Sequence, residues 1–311
     1  MEIESEDKPP GSPLLREYDI GNFLKESLWF IKYEGSNPTG TQKDRISRLH
    51  VENAISKGYN EISVATCGNY GASIAYYAQK YGIKAIVGIP SQYSNSRRSE
   101  IEKYGATVIE EPLAYEDMVE HMRDMSMKNR WYDASPGSSN SAIDIEGYSD
   151  IGIEICNQLG FAPEFVSVPV GNGTTLYGIY RGFYKLFKKK KIGRMPHFIA
   201  TSTEFGNPII YSFIHGFRNI VELNKTDIIE TEINEPLISY RSYDGQHALN
   251  VLHRTEGKAI YVSDGEMKNI SEQFMRDDGL SVLPASASAV AGALKFAKGH
   301  SCAIIITGSD K

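Results

Sequence analysis

The sequence predicts an α/β fold with mostly parallel sheets, and three observations lead to that prediction. Short apolar segments typical of strands alternate with segments of helical periodicity along almost the whole chain. Strands separated by helices favour βαβ units, in which neighbouring strands pair in parallel. The 311 residues, 41% of them hydrophobic, are enough for about two domains with a sizeable core.

The predicted strands and helices are short segments that end at residues typical of turns. The predicted strands are the segments 28–33, Glu61–Ala65, 85–89, 106–110, Phe165–Pro169, 197–202, 259–263 and 302–307. The predicted helices are the segments 43–58, 72–81, 98–104 and 175–187. Met118, Met122 and Met125 recur at helical spacing, which predicts core positions. The loop-rich region 134–147 is expected to connect two subdomains.

Composition argues against several classes of function. Lys and Arg number 33 against 39 Asp and Glu, so the net charge of −6 does not favour binding to nucleic acid or to an anionic membrane. No apolar stretch approaches the roughly 20 residues of a membrane helix. Cys67, Cys156 and Cys302 lie too far apart for a disulfide framework or a CxxC site, and the histidines show no metal-ligand spacing. We therefore expect a cytoplasmic protein without a metal, a membrane anchor or a nucleic-acid partner.

In parallel α/β folds, ligands bind where loops leave the carboxyl ends of strands and enter helices. The first such loop, residues 37–45, places Lys43 at the start of a helix. The positive end of the helix dipole disfavours the ammonium form, and a neutral amine is what a Schiff-base lysine requires. The alternative is a solvated Lys43 that pairs with Asp44 or Glu52.

Two further loops carry polar groups at the same kind of position. In the segment 65–71, backbone N–H groups together with Thr66 and Asn69 are suited to a carboxylate at a helix start. The alternative is a plain glycine turn with Asn69 as the helix N-cap. At the end of the last strand, the hydroxyl of Thr307 is suited to a hydrogen bond with a neutral ring nitrogen.

The glycine-rich loop 169–176 is a candidate phosphate site. Its glycines let the backbone approach an anion, and the free N–H groups and two hydroxyls can bind a phosphate dianion. It is not a dinucleotide fingerprint, because Leu176 stands where that motif needs a glycine, and it is not a Walker A loop. The loop therefore predicts a monophosphate site, with an ordinary turn as the alternative.

These motifs occur in the order found in the fold-type II pyridoxal-phosphate enzymes, the tryptophan synthase β family. Within that family the chain most closely resembles the threonine synthases. The matching segments are Ser12-Pro13-Leu14, the loop 37–45, Gly68-Asn69, the loop 171–175 and Thr307-Gly308. The resemblance implies two open, twisted, mostly parallel sheets flanked by helices, with the cofactor between two domains. The small, mobile domain would span residues 46–135, and the large domain residues 1–45 and 136–311.

The resemblance implies pyridoxal 5'-phosphate as the cofactor and assigns a role to each loop. Lys43 would form the Schiff base and later act as general base, Asn69 would bind the phenolic oxygen, and Thr307 the ring nitrogen. The phosphate would be held by Gly171, Asn172, Gly173, Thr174 and Thr175. The substrate carboxylate would be held by Thr66, Cys67, Gly68, Asn69 and Tyr70. A hydroxyl rather than a carboxylate at the ring nitrogen should favour elimination over transamination.

By the same resemblance the protein would be a carbon–oxygen lyase with a small amino-acid substrate, and it would form a homodimer, as its relatives commonly do. It would remove phosphate from O-phosphohomoserine and add water to give threonine. Asp144, however, stands where the family has an arginine that holds the substrate phosphate, and compensation by Arg97, Arg98 or Arg241 is left open. The alternatives are therefore β-replacement on an activated serine, as in cysteine or cysteate synthases, serine or threonine deamination, and cofactor binding without turnover.

Overall fold

The computed structural model of the protein describes residues 11–16, 28–66, 68–91 and 97–310. Its strands are β1 (Leu14–Arg16), β2 (Trp29–Tyr33), β3 (Glu61–Ala65), β4 (Lys84–Pro90), β5 (Thr107–Glu111), β6 (Tyr132–Asp133), β7 (Phe165–Pro169), β8 (His197–Thr203), β9 (Lys258–Val262) and β10 (Cys302–Ile306). Its α-helices are α1 (Lys43–Ser56), α2 (Asn69–Tyr81), α3 (Arg98–Lys103), α4 (Tyr115–Asn129), α5 (Ala142–Leu159), α6 (Thr174–Lys188), α7 (Pro208–Ile214), α8 (Gly245–Arg254), α9 (Asp264–Asp278) and α10 (Pro284–Phe296).

The strands form two sheets, which confirms the predicted α/β class. The larger sheet has the order β1-β2-β10-β7-β8-β9, and all its pairs are parallel except the edge pair of β1 with β2. The smaller sheet has the order β5-β4-β3-β6 and is parallel throughout. In a parallel sheet the loops that follow the strands emerge at one edge, so each sheet gathers its loops there.

Apolar side chains fill the space between the sheets and their helices. The central strand β10 is fully buried, as expected for an apolar run covered on both faces. Met118 and Met122 of α4 are also buried, as predicted, and Met125 packs against the same cluster. Helices α5 and α6 approach so closely that a Cβ on Gly182 would lie 2.0 Å from the backbone oxygen of Ser149.

A buried ionic network lies beneath the start of α1. Arg45 Nε contacts Glu34 Oε2 at 2.6 Å, and Arg45 Nη2 contacts Glu154 Oε2 at 2.8 Å. The buried Lys32 ammonium contacts the same Glu154 oxygen at 2.7 Å. Because buried charges require partners, this network fixes the backbone that carries the adjacent Lys43.

Two of the predicted element boundaries were wrong. Helix α2 begins at Asn69 rather than at residue 72. Helix α5 begins at Ala142, inside the region 134–147 that was predicted to be loop-rich. Gly147 resembles a helix breaker in the sequence, but a Cβ there would lie 3.0 Å from Ile46 Cγ2 and 3.1 Å from the Arg45 oxygen, so the glycine allows α5 to pack on α1. The division of the chain at residues 46 and 135 stays a prediction.

Candidate active site

The loops singled out in the sequence line one cavity of about 200 Å³. They follow strands of both sheets, so the cavity lies where the carboxyl ends of the two sheets face each other. The predicted site residues in its wall are Lys43, Thr66, Gly68, Asn69, Tyr70, Gly171, Asn172, Gly173, Thr174, Thr175 and Thr307. Cys67, also predicted to bind the substrate, lies outside the described residues.

Lys43 is the first residue of α1, and its amine lies between two tyrosine rings. Lys43 Nζ is 5.1 Å from the ring centre of Tyr70 and 5.8 Å from that of Tyr148. Burial lowers the pKa of Lys43, and the charge of Asp144 opposes part of that shift. A lowered pKa increases the fraction of neutral amine, which is the nucleophilic form.

The alternative of a solvated Lys43 does not agree with the neighbouring contacts. The Asp44 carboxylate accepts hydrogen bonds from the backbone N–H of Thr39 at 2.7 Å, from the Thr39 hydroxyl at 2.7 Å and from Ser73 Oγ at 2.6 Å. Glu52 pairs with Arg48 at 2.6 Å. Both carboxylates proposed as partners of the amine are therefore committed elsewhere, and Asp44 instead holds the loop that leads into α1.

The loop before α2 offers unpaired donors at a helix start. The N–H groups of Asn69 and Tyr70 donate to no acceptor among the described residues, as is usual for a first helical turn. The N-cap is Gly68, at φ 152°, so the alternative of an Asn69 cap is wrong. The Tyr70 hydroxyl donates to the backbone oxygen of Ala134 at 3.0 Å, and its ring rather than its hydroxyl faces Lys43.

The glycine turn before α6 is similarly open to an anion. The N–H groups of Gly173, Thr174 and Thr175 donate to no acceptor within the described part of the chain. A Cβ on Gly171 would lie 2.6 Å from the Pro236 oxygen, so the turn requires glycine there. Thr174 Oγ1 donates to Asp244 Oδ2 at 2.6 Å, which turns that hydroxyl away from an anion, whereas Thr175 Oγ1 accepts from Gln42 Nε2 at 3.1 Å and keeps its proton available.

Thr307 lines the cavity, and its hydroxyl contacts a serine to which the sequence had assigned no role. Its Oγ1 lies 2.6 Å from Ser286 Oγ, near the start of α10. The backbone oxygen of Thr307 accepts from the Gln42 N–H at 2.8 Å. The end of β10 is thereby tied to the residue next to Lys43.

A second polar group that sequence reasoning missed lies behind the cavity wall and contacts Asp144. His50 is fully buried, and its Nε2 lies 2.9 Å from Asp144 Oδ1, while its Nδ1 lies 3.1 Å from the Tyr132 hydroxyl. His50 is seven residues after Lys43, and this spacing, two helical turns, was the available signal that both share a face of α1. No local pattern pointed to its two partners, which lie in other elements.

None of the arginines proposed as compensation lines the cavity. Arg98 pairs with Glu102 and Glu110, and Arg241 pairs with Glu222, all at the protein surface. Arg97 is buried behind the wall, where its Nη1 donates to Asn69 Oδ1 at 2.7 Å. Among the described residues, Lys43 is the single cation in the cavity wall.

One known protein family matches almost the whole chain. The family model for pyridoxal-phosphate dependent enzymes matches residues 7–308. The chain belongs to this family. Its cofactor is therefore pyridoxal phosphate, as predicted, and the α/β architecture of two sheets agrees with the fold-type II enzymes.

Individual relatives include threonine synthases. The chain is 29% identical to a threonine synthase from Methanocaldococcus jannaschii over 290 residues, which cover 92% of this chain and 69% of that protein. It is 27% identical to a threonine synthase from Bacillus sp. (strain ULM1), with 96% and 82% covered. A solved L-serine ammonia-lyase from Rhizomucor miehei shares the fold with a TM-score of 0.80 at 21% identity, covering 97% of this chain and 94% of that one.

The cavity fits the cofactor of the family. Its phosphate needs N–H donors, and the turn before α6 provides unpaired ones. Its aldehyde needs an amine, and Lys43 Nζ is the amine in the described wall. Among the described residues, no group of His, Cys, Asp and Glu side chains could hold a metal ion, and no helix is long and apolar enough to cross a membrane.

Proposed function

We propose that the protein is a carbon–oxygen lyase that acts on a small α-amino acid with a leaving group at Cβ or Cγ. One observation carries this proposal: Lys43, the open turn at 171–175 and the Thr307 hydroxyl share one cavity. The amine and the anion site suit a cofactor that carries both an aldehyde and a phosphate on one ring. The Thr307 hydroxyl is a neutral partner for the ring nitrogen.

In this proposal different residues of the chain bind different parts of the cofactor. The N–H groups from Gly171 to Thr175 hold the phosphate, with the Thr175 hydroxyl as a further donor. The amide of Asn69 donates through Nδ2 to the phenolic oxygen, because its Oδ1 already accepts from Arg97. The cofactor, once bound, withdraws electrons from Cα of the amino acid and so makes its proton acidic.

The substrate is held and deprotonated by residues on the other side of the cavity. Its carboxylate binds the N–H groups of Asn69 and Tyr70 at the start of α2. Lys43 Nζ would accept the Cα proton of the bound amino acid. Its lowered pKa keeps the amine neutral and able to accept that proton, and the two neighbouring tyrosine rings stabilise the ammonium form that results.

For the finer assignment, the sequence predicted that phosphate leaves O-phosphohomoserine and that water is added to give threonine. The threonine synthases among the relatives support it. The alternatives, β-replacement on an activated serine and deamination of serine or threonine, use the same cofactor and the same lysine. They differ in the leaving group, and therefore in the charge on the substrate that the cavity wall must accommodate.

A substrate panel tests the proposal. Holoprotein is incubated with O-phosphohomoserine, O-phosphoserine, O-acetylserine, serine and threonine, and the release of phosphate, acetate, ammonia and keto acid is measured. We expect turnover of at least one of them, abolished in Lys43→Ala. A holoprotein with bound cofactor that turns over none of the five would contradict the lyase assignment.

A further inference from the structure

Asp144 is a buried carboxylate in the cavity wall. It is 5% exposed, and its Oδ2 accepts no hydrogen bond from any described residue, whereas Oδ1 is 2.9 Å from His50 Nε2. Its negative charge affects the pKa values of three other residues in the cavity wall. It opposes the effect of burial on the pKa of Lys43 and, after burial itself, helps to raise the pKa values of Tyr70 and Tyr148.

A chain of hydrogen bonds fixes the orientation of this carboxylate. Asn53 Nδ2 donates to the Tyr132 hydroxyl oxygen at 2.7 Å, and that hydroxyl lies 3.1 Å from His50 Nδ1. Since the Tyr132 oxygen already accepts from Asn53, we assign its proton to the bond with Nδ1. His50 Nε2 then carries the ring proton and donates it to Asp144, which leaves Oδ2 as a free acceptor.

The rest of the wall adds negative rather than positive charge. Its carboxylates are Asp144, Glu116, Glu230 and Glu235, and Lys43 is the single cation among the described wall residues. In a cavity from which water is excluded, a fixed carboxylate and a dianion repel each other more strongly than in water. A hydroxyl, in contrast, can donate a hydrogen bond to the same carboxylate.

We propose that Asp144, oriented by His50, is a specificity-determining residue that admits amino acids whose leaving group is a hydroxyl and disfavours those that carry a phosphate ester. This inference rests on the proposed function and names the substrate class of the same site. It selects the alternative of serine or threonine deamination over elimination of phosphate. The free oxygen of Asp144 would accept a hydrogen bond from the substrate hydroxyl, and the hydroxyl would leave as water with the proton that Lys43 takes from Cα.

The test compares one isosteric variant with a matched control on the same helix. Asp144→Asn removes the charge but keeps an oxygen for His50. Glu146→Gln removes the charge of a carboxylate that pairs with Lys185 at the surface, 2.7 Å away. For the wild type and both variants, kcat/KM is measured with serine, threonine, O-phosphoserine and O-phosphohomoserine. In parallel, the dissociation constants of serine and O-phosphoserine are measured from changes in the absorbance of the bound cofactor.

We expect the wild type to favour the hydroxy amino acids, and Asp144→Asn to shift the ratio toward the phosphorylated ones by roughly tenfold or more, chiefly through KM. Glu146→Gln should leave the ratio unchanged. A wild type that prefers a phosphate ester, or an Asp144→Asn ratio equal to that of the wild type, overturns the inference. If no substrate is turned over, the lyase assignment fails by itself. The dissociation constants then decide the inference, which stands if serine binds more tightly than O-phosphoserine and falls if it does not.

Discussion

Arg97 Nη1 donates to Asn69 Oδ1 at 2.7 Å, and this bond decides which end of the Asn69 amide faces the cavity. The same guanidinium donates through Nη2 to the Thr39 oxygen at 2.9 Å and pairs with Glu100 at 2.5 Å. Arg97 therefore connects the loop that carries Lys43 to the helix that carries Asn69. In our account it is a positioning residue, because it acts on the cofactor through Asn69.

Replacing Arg97 should change the spectrum of the bound cofactor. In Arg97→Gln the amide of Asn69 loses its fixed orientation, so its donor no longer points steadily at the phenolic oxygen. We expect a shifted absorbance maximum and a roughly tenfold weaker affinity for pyridoxal phosphate, in line with the loss of one hydrogen bond to a charged group. The neighbouring Arg98→Gln, which breaks surface pairs only, is the control. An unchanged spectrum in Arg97→Gln would show that Arg97 has a structural role only.

Replacing Thr307 with a carboxylate residue should raise the fraction of turnovers that end in transamination. Thr307 Oγ1, 2.6 Å from Ser286 Oγ, offers a neutral partner to the ring nitrogen in our account. Thr307→Asp would stabilise a protonated ring nitrogen, which spreads negative charge away from Cα and favours transamination. We expect a several-fold rise in the fraction of turnovers that leave pyridoxamine phosphate, and no rise in Thr307→Ser. Equal fractions in wild type and Thr307→Asp would contradict the role of Thr307.

The charge of Asp144 should affect the pH dependence of the rate at which the Lys43 amine captures the cofactor. Burial lowers the pKa of Lys43, and the Asp144 carboxylate opposes that shift because it stabilises the ammonium form. Asp144→Asn should therefore lower the pKa further, so that the reactive neutral amine persists to lower pH. We expect the midpoint of the capture rate against pH to move downward, and to stay in place for Glu146→Gln. An upward movement in Asp144→Asn would contradict the electrostatic account.

The network beneath α1 should dominate stability. Arg45→Met leaves the fully buried Glu34 without its main partner, which is expected to cost about 3–5 kcal/mol of unfolding free energy. The control is Lys268→Met, since Lys268 Nζ lies 3.9 Å from Glu272 with both side chains 62% exposed, and it should change stability by less than about 1 kcal/mol. Urea unfolding of the holoprotein measures both. Equal losses in the two variants would be inconsistent with a buried network.

The same pair predicts a dependence of stability on pH. Burial alone would raise the pKa of Glu34, but the combined effects of Arg45, Ser12 and Lys32 outweigh burial and lower the pKa below its ordinary value of 4.5. A carboxyl with a lowered pKa contributes stability above its unfolded-state value and loses that contribution as the pH falls through the folded-state value. The contribution of Glu34 should therefore be lost below about pH 4.5, so that the unfolding free energy on acidification from pH 7 falls more steeply in the wild type than in Arg45→Met.

The features that could be predicted from the sequence are those for which a single segment has a recognisable local pattern. The apolar run of β10 and the turn at 171–175 each have a local pattern, and both were found at nearly their observed positions. The start of α5 was missed because residues 134–147 were predicted to be a loop-rich connection, and the packing of Gly147 on α1 becomes visible only when the two helices are placed together.

The residues that were missed act through partners far away in the chain. His50 and Tyr132 are 82 positions apart, and Arg97 and Asn69 are 28 apart. A single sequence gives no sign of such pairs, because each partner lies in a different element and only the fold brings them together. Asp144 was recognised as an unusual residue, but its orientation by His50 required the structure.

The most direct measurement is the position of the covalent link between protein and cofactor. Holoprotein is reduced with borohydride, which makes the bond between the amine and the cofactor permanent, and is then digested and analysed by mass spectrometry. We expect the cofactor mass on the peptide that contains Lys43, together with loss of the visible absorbance in Lys43→Ala. Cofactor attached at a different lysine, or visible absorbance retained in Lys43→Ala, would contradict it.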